Sequence, residues 1–155
     1  PLVMVGKTLT ETNFDKLNPW NQDRLKTQKL ITESNNISSL GFVPTEDLVA
    51  LYNLATVFVM PSLYEGFGLP ILEAMASGCP VVTTKEGSIP EVAGEAARYV
   101  DAYDQDSIAE GIKEVFENSK LQKTLSEKGL EQAGKFTWKN TAAQTLIAYE
   151  KVLGS

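Results

Sequence analysis

Apolar residues in this chain fall in short runs closed by turn residues, and between those runs they recur at helical spacing. LVMVG at 2–6 reads as a buried strand, followed by a polar loop to Pro19 and a helix over 20–33. NISSLGFV at 36–43 is a second strand. Thr45 then has the character of an N-cap, with Glu46 and Asp47 in the first turn and Leu48, Leu51, Tyr52 and Ala55 on one apolar face. TVFVMPS at 56–62 is a third strand, after which Pro70, near a first helical position, opens a helix that Gly78 closes as its C′ residue. PVVTT at 80–84 and ARYVD at 97–101 are the fourth and fifth strands, with a short turn at IPEVAG between them. Ser107 and Glu110 form a capping box for a helix carrying Ile108, Ile112 and Val115. LQKTLSEKGLEQAG continues as a second helix, broken or bent near Gly129. A last helix starts at Thr137 and places Trp138, Ala142, Thr145, Tyr149 and Val152 on one side.

Strands separated by helices predict an α/β fold with a mostly parallel sheet, because parallel neighbours need crossover connections, and with helices on both faces of it. Without internal repeats, low-complexity tracts or a linker, residues 1–155 are expected to form a single domain. Ligands of such sheets bind beyond the carboxyl ends of the strands. The loop 62–68 directly follows a strand and therefore belongs to that edge.

Composition narrows the chemistry. A net charge of −6, with Arg24 and Arg98 as the only arginines, gives no basic footprint for a nucleic-acid backbone or an anionic membrane. The absence of histidine removes the usual general base and the commonest transition-metal ligand, so no metal site is expected. The single cysteine, Cys79, reads as a small buried apolar residue at a helix-to-strand junction. No apolar run approaches the length of a membrane span, and the expected setting is cytoplasmic, with the inner face of a membrane as an open alternative.

The stretch PSLYEGFGLPILEAMASG at 61–78 sets Glu65 and Glu73 around a glycine-spaced turn that runs into a helix. Gly66 and Gly68 let a backbone approach a ligand closely, and free amides at a helix start attract an anion the size of a pyrophosphate. Two carboxylates would repel that anion, yet as pure acceptors they suit the hydroxyls of sugars. The reading that reconciles them gives the amides the phosphates and each glutamate a hydroxyl-bearing end of the ligand. Against it stands a plainer one, since a glutamate in a first helical turn is favourable by ~0.3–1 kcal/mol with no ligand at all.

PSLYEGFGLPILEAMASGCPVVTT followed by GSIPEV resembles the signature of family 4 of the retaining, nucleotide-sugar-dependent glycosyltransferases, which have the two-Rossmann GT-B architecture. LVMVG, LGFVPTEDLVALYNLATVFVMPS, AARYVDAYDQDSIAEGI and KFTWKNTA are similar to successive blocks of that family's C-terminal domain, so the resemblance covers nearly the whole chain. It implies a three-layer Rossmann-like domain that binds a nucleotide diphosphate sugar and needs no metal or other cofactor. By the same resemblance Glu65 is the candidate catalytic residue, contacting donor-sugar hydroxyls without acting as a nucleophile. Gly66, Phe67, Gly68 and Leu69 approach the sugar and phosphates through their backbone, Phe67 being otherwise a packing residue. Glu73 binds the ribose, and Phe42, Val43 and Pro44 lie near the nucleobase. Ser88 departs from a common Gly-Gly-x-Pro-Glu pattern, which leaves the role of its loop open.

The family's domain opens with one more strand and an arginine–lysine loop that clamps the pyrophosphate, and neither is found here; Lys7 reads as a solvated loop lysine. The expectation is a domain lacking its first strand, part of a longer polypeptide whose N-terminal acceptor domain supplies the acceptor pocket and any peripheral membrane association. Alone it would transfer sugar slowly or not at all. The rival reading is a nucleotide-sugar-binding or scaffold module that has lost transfer.

Overall fold

The computed structural model describes residues 1–154, and of Trp20 the backbone alone. It divides into two compact units, Pro1–Leu48 and Val49–Ser155, the last residue lying outside the described ones.

In the first unit, strand β1 (Leu2–Met4) pairs in parallel with β2 (Ile37–Ser39), Val3 facing Ser38 across the ladder. The crossover runs through a short helix α1 (Lys7–Thr10), a 3-10 turn (Pro19–Asn21) and helix α2 (Gln22–Glu33). The polar stretch before Pro19 was expected to be loop throughout, yet Lys7 opens α1 with its side chain exposed. Arg24 organises the loop after α1: its guanidinium donates to the Glu11 carbonyl at 2.8 Å and lies 3.8 Å over the Phe14 ring. β1 is not the buried strand its sequence suggests. Leu2 and Val3 are 51% and 45% exposed, because a two-stranded sheet covers neither its outer edge nor both faces. β2 also ends sooner than expected. Gly41 turns the chain out at φ 67°, where a Cβ would stand 2.7 Å from Thr10 Oγ1, so Phe42 and Val43 belong to a loop. Helix α3 (Thr45–Leu54) then leads into the second unit with Glu46 and Asp47 in its first turn.

The second unit is built on three parallel strands, β3 (Phe58–Met60), β4 (Val81–Thr84) and β5 (Ala97–Val100), in that order. β4 is central and every residue in it is buried, which explains why PVVTT carries no alternation: both of its faces meet packed helices. One face places Val82 and Val100, with Val57 and Val59, against Ile108, Ile112 and Val115 of α6 (Gln105–Glu117) and Leu121 and Leu125 of α7 (Ser119–Ala133). Helix α4 (Leu69–Ala76) contributes Ile71, Ala74 and Met75 to the buried core, and the short α5 (Ile89–Ala93) contributes Ile89 and Val92. A fully buried aliphatic side chain is worth about 1.5–3 kcal/mol, so this core fixes where α4 and its glutamate sit.

Several helix ends differ from expectation. Asp104, not Ser107, caps α6, its carboxylate accepting from Asp106 N–H at 2.9 Å, while the Ser107 hydroxyl accepts from Asp101 N–H. Gly129 does not break α7, which runs continuously from Ser119 to Ala133. It is a contact point instead: a Cβ there would lie 3.3 Å from Met75 Cγ, so glycine lets α7 close on α4. Thr137 caps α8 (Trp138–Leu153) as expected, but the helix has no buried residue, and Trp138, Tyr149 and Val152 on the anticipated apolar side are exposed.

Candidate functional site

β3 and β4 run in parallel, so the loops leaving their carboxyl ends emerge on one edge of the sheet. The first carries Ser62, Glu65 and the glycines; the second carries Gly87 and Ser88. Threonine hydroxyls fasten the first loop at its root, Thr83 Oγ1 donating to the Met60 carbonyl at 2.8 Å and Thr84 Oγ1 to the Ser62 carbonyl at 2.7 Å. Both threonines are buried, and these bonds satisfy hydroxyls that would otherwise be costly in the core.

Glu65 is held by three hydrogen bonds from two serines. The Ser62 hydroxyl donates to Oε1 at 2.7 Å, and the Ser88 hydroxyl and amide both donate to the Glu65 carbonyl, at 3.0 and 3.4 Å. Gly87, at φ 59°, fits only because it has no side chain; a Cβ would stand 2.8 Å from that carbonyl. Among the described residues, the other carboxylate oxygen of Glu65, Oε2, accepts no hydrogen bond.

The next turn is a set of donors. Gly68 adopts a left-handed conformation at φ 96° and caps α4, its carbonyl accepting from the amides of Ile71 and Leu72. Pro70 has no N–H. Among the described residues, the amides of Gly66, Phe67, Gly68 and Leu69 donate to no protein acceptor, and of these four residues only Gly68 is buried. A Cβ at Gly66 would meet nothing within 4 Å, so neither crowding nor backbone conformation demands glycine there, and the vacant space suits close approach of a ligand. The Phe67 ring meets Phe136 edge to face with centroids 6.1 Å apart.

Glu73 lies one turn into α4, with an exposed side chain that leans back toward the helix start. Its Oε2 accepts from the Tyr52 hydroxyl at 3.4 Å. Burial, and then the Glu73 charge, push the Tyr52 phenol well above its ordinary range, so it stays a neutral donor. Phe42 and Pro44 are exposed and Val43 half-buried in the loop after β2; these three belong to the first unit, whereas Glu65, the turn and Glu73 share the second. Among the described residues no group of three or more His, Cys, Asp or Glu side chains gathers as a metal centre, and no helix is long and apolar enough to cross a membrane. A groove of about 500 Å3 lined by Lys85, Gly94 and Tyr99 contains none of the site residues.

The sequence did not single out Ser62, Thr84 or Tyr52. Their signal is faint but physical: hydroxyl residues at the ends of buried strands and on a buried helix face need partners, and here the partners are the two glutamates or their loop.

The family profile described as Glycosyl transferases group 1 matches residues 1–132. The chain is 45% identical over 119 residues to O-antigen chain mannosyltransferase B of Escherichia coli, covering 77% of this chain and 31% of that protein. It is 39% identical over 134 residues to MMP alpha-(1->4)-mannosyltransferase of Mycolicibacterium hassiacum, covering 82% of this chain and 33% of the relative. Among solved structures, sucrose-phosphate synthase from Thermosynechococcus elongatus superposes with a TM-score of 0.79 at 27% identity, over 99% of this chain and 38% of that one. The chain thus spans about a third of the length of the curated relatives it matches.

Proposed function

The chain belongs to the group 1 glycosyl transferases, and from that premise we propose that it is the donor-binding part of an enzyme that moves a hexose from a nucleotide diphosphate sugar to an acceptor, with retention of anomeric configuration. The observation that carries this reading is the unpaired run of amides at Gly66, Phe67, Gly68 and Leu69, set between two glutamates that are each oriented by a hydroxyl. The amides receive the diphosphate. Glu65 accepts from donor-sugar hydroxyls and Glu73 from the ribose.

In the reaction the acceptor oxygen bonds the anomeric carbon on the face from which the diphosphate departs. The leaving oxygen keeps the electron pair of the broken bond and takes the acceptor's proton. Charge develops on that oxygen, so fixed donors aimed at it are the main source of acceleration. Turn amides, and basic groups elsewhere in the protein, would carry the charge without a metal ion. Glu65 aligns the sugar and is not a nucleophile. Two mannosyltransferases among the relatives favour a mannose donor.

Calorimetry of the full-length protein with GDP-mannose, UDP-glucose and ADP-glucose tests the reading. Glu65→Ala and Glu73→Ala are each expected to weaken the preferred donor by tenfold or more, the equivalent of about 1.4 kcal/mol. Unchanged affinity in both variants would overturn it.

A further inference from the structure

Ser88 is the residue that leaves its loop unexplained in the sequence, and Ser62 drew no attention there. In the structure both end on Glu65. The Ser62 hydroxyl holds Oε1 at 2.7 Å, and the Ser88 hydroxyl and amide hold the backbone carbonyl at 3.0 and 3.4 Å. We propose that Ser62 and Ser88 are positioning residues for Glu65, fixing its backbone and one carboxylate oxygen so that the other oxygen faces the donor sugar. The inference rests on the role for Glu65 proposed above.

A glutamate on a loop after a strand has three free side-chain torsions, and freezing them at the moment of binding costs conformational entropy. Ser62 removes much of that freedom in advance. Its own carbonyl is tied to buried Thr84, so the hydroxyl is referenced to the central strand of the core. Ser88 comes from the other side. It stands at the N-cap of α5, whose next residue, Ile89, is fully buried, so its hydroxyl is anchored as firmly as the core itself. The close approach of Gly87 to Glu65 is what brings Ser88 within reach. Glu65 is therefore tied through Ser62 to the end of β4 and through Ser88 to the start of α5, an arrangement in which binding and alignment of the sugar carry little added ordering cost.

The test compares a donor with its own nucleoside diphosphate, because only the former has the sugar. In the full-length protein, affinities for the preferred donor among GDP-mannose, UDP-glucose and ADP-glucose, and for GDP, UDP or ADP alone, are measured by calorimetry beside the melting temperature. Ser62→Ala is expected to weaken the donor about tenfold, as loss of a hydrogen bond to a charged group would. Ser88→Ala is expected to weaken it about threefold, since the Ser88 amide still donates. Nucleoside diphosphate affinity should stay within about twofold in both. Ser62→Thr should restore the donor. If Glu65→Ala loses the sugar-dependent affinity while both serine variants keep it, the positioning role is wrong and the proposed function stands. If nucleoside diphosphate affinity falls in step with donor affinity, the serines merely hold the loop together and the proposal is overturned. If Glu65→Ala binds donor as the parent does, the functional reading itself fails and takes this inference with it.

Discussion

The Tyr52 hydroxyl reaches Glu73 Oε2 at 3.4 Å from within the core, its side chain 6% exposed and its ring edge-on to Phe58 with centroids 5.3 Å apart. A buried phenol is thus tied to a carboxylate at the surface, and the two roles of the residue separate by substitution. Tyr52→Phe keeps the ring and should change stability by about 1 kcal/mol or less, the net worth of one long hydrogen bond. If Glu73 holds the ribose as proposed, the change should nevertheless weaken GDP, UDP or ADP binding several-fold, and by less for the 2′,3′-dideoxy form, because the carboxylate loses its orienting hydrogen bond. Tyr52→Ala should cost about 3–5 kcal/mol in denaturant unfolding, as large aromatic truncations do. Equal affinities of parent and Tyr52→Phe for the ribonucleotide would separate the tyrosine from the site.

Cys79 gives a second measurable handle. Burial pushes its thiol from an ordinary 9.0 up to about 11, and its Sγ lies 3.7 Å from the carbonyls of Ala55 and Pro80. A group whose folded pKa is raised stabilises the fold fully below its unfolded pKa and loses that contribution as pH rises toward the folded value. Stability should therefore fall between about pH 9 and 11 by on the order of 1–3 kcal/mol, and Cys79→Ala should flatten the early part of that limb. Tyr52 adds to the decline only above about pH 10, where an unfolded tyrosine ionises. In native protein at neutral pH, thiol reagents should react with Cys79 at a rate set by unfolding; rapid labelling without loss of structure would contradict the buried position.

The fold was legible wherever one residue's local chemistry and the core asked for the same thing. VVTT had to be a strand buried on both faces, and Pro70 with Gly78 bracketed α4 closely, because proline and glycine act on their own backbone. Legibility failed where the deciding partner was distant in sequence. Gly129 looked like a helix breaker, but the reason for glycine there is Met75, and nothing in the local sequence announces that contact. Ser107 looked like a cap, but Asp104 lies one turn nearer the strand and takes the amide first. At the site the glutamates and glycines were readable as a motif, whereas their holders Tyr52, Ser62 and Ser88 were not, since a hydroxyl's partner depends on which loops the sheet brings together.

Two glycines inside helices should respond differently to the same change. Alanine is normally the better helix former by about 1 kcal/mol. At Gly111 in α6 a Cβ would collide with Val100, so Gly111→Ala should destabilise by about 1–3 kcal/mol despite that gain. At Gly129 the nearest atoms lie 3.3–3.5 Å away on Met75, so Gly129→Ala should be close to neutral and Gly129→Leu strongly destabilising, because it would drive α7 off α4. Melting temperatures of the three variants check the order; an alanine at 111 that stabilises would mean that the sheet and α6 are less tightly joined than the geometry requires.

Gly87 couples stability to the site most directly. Its φ of 59° is one that an L-residue adopts at a cost of roughly 1–2 kcal/mol, and the Cβ of an alanine would also press to 2.8 Å from the Glu65 carbonyl, a backbone atom with little room to yield. The strain alone predicts a modest loss of melting temperature. The contact predicts more. To relieve it, Glu65 must move away from Ser88, breaking the bonds to the Ser88 hydroxyl and amide and turning the carboxylate out of line. Gly87→Ala should therefore lose donor affinity well beyond what its stability loss explains, while the amides of Gly66 to Leu69 still take the nucleoside diphosphate. Gly94 is the control, since it too has a positive φ, of 54°, but a Cβ there would meet the side chain of Gln132 and not the site. Gly94→Ala, at a ψ of −129° that side-chain-bearing residues avoid, should cost at least as much stability and leave donor binding intact; a parallel loss of donor affinity in both variants would place the effect in the fold and not in Glu65.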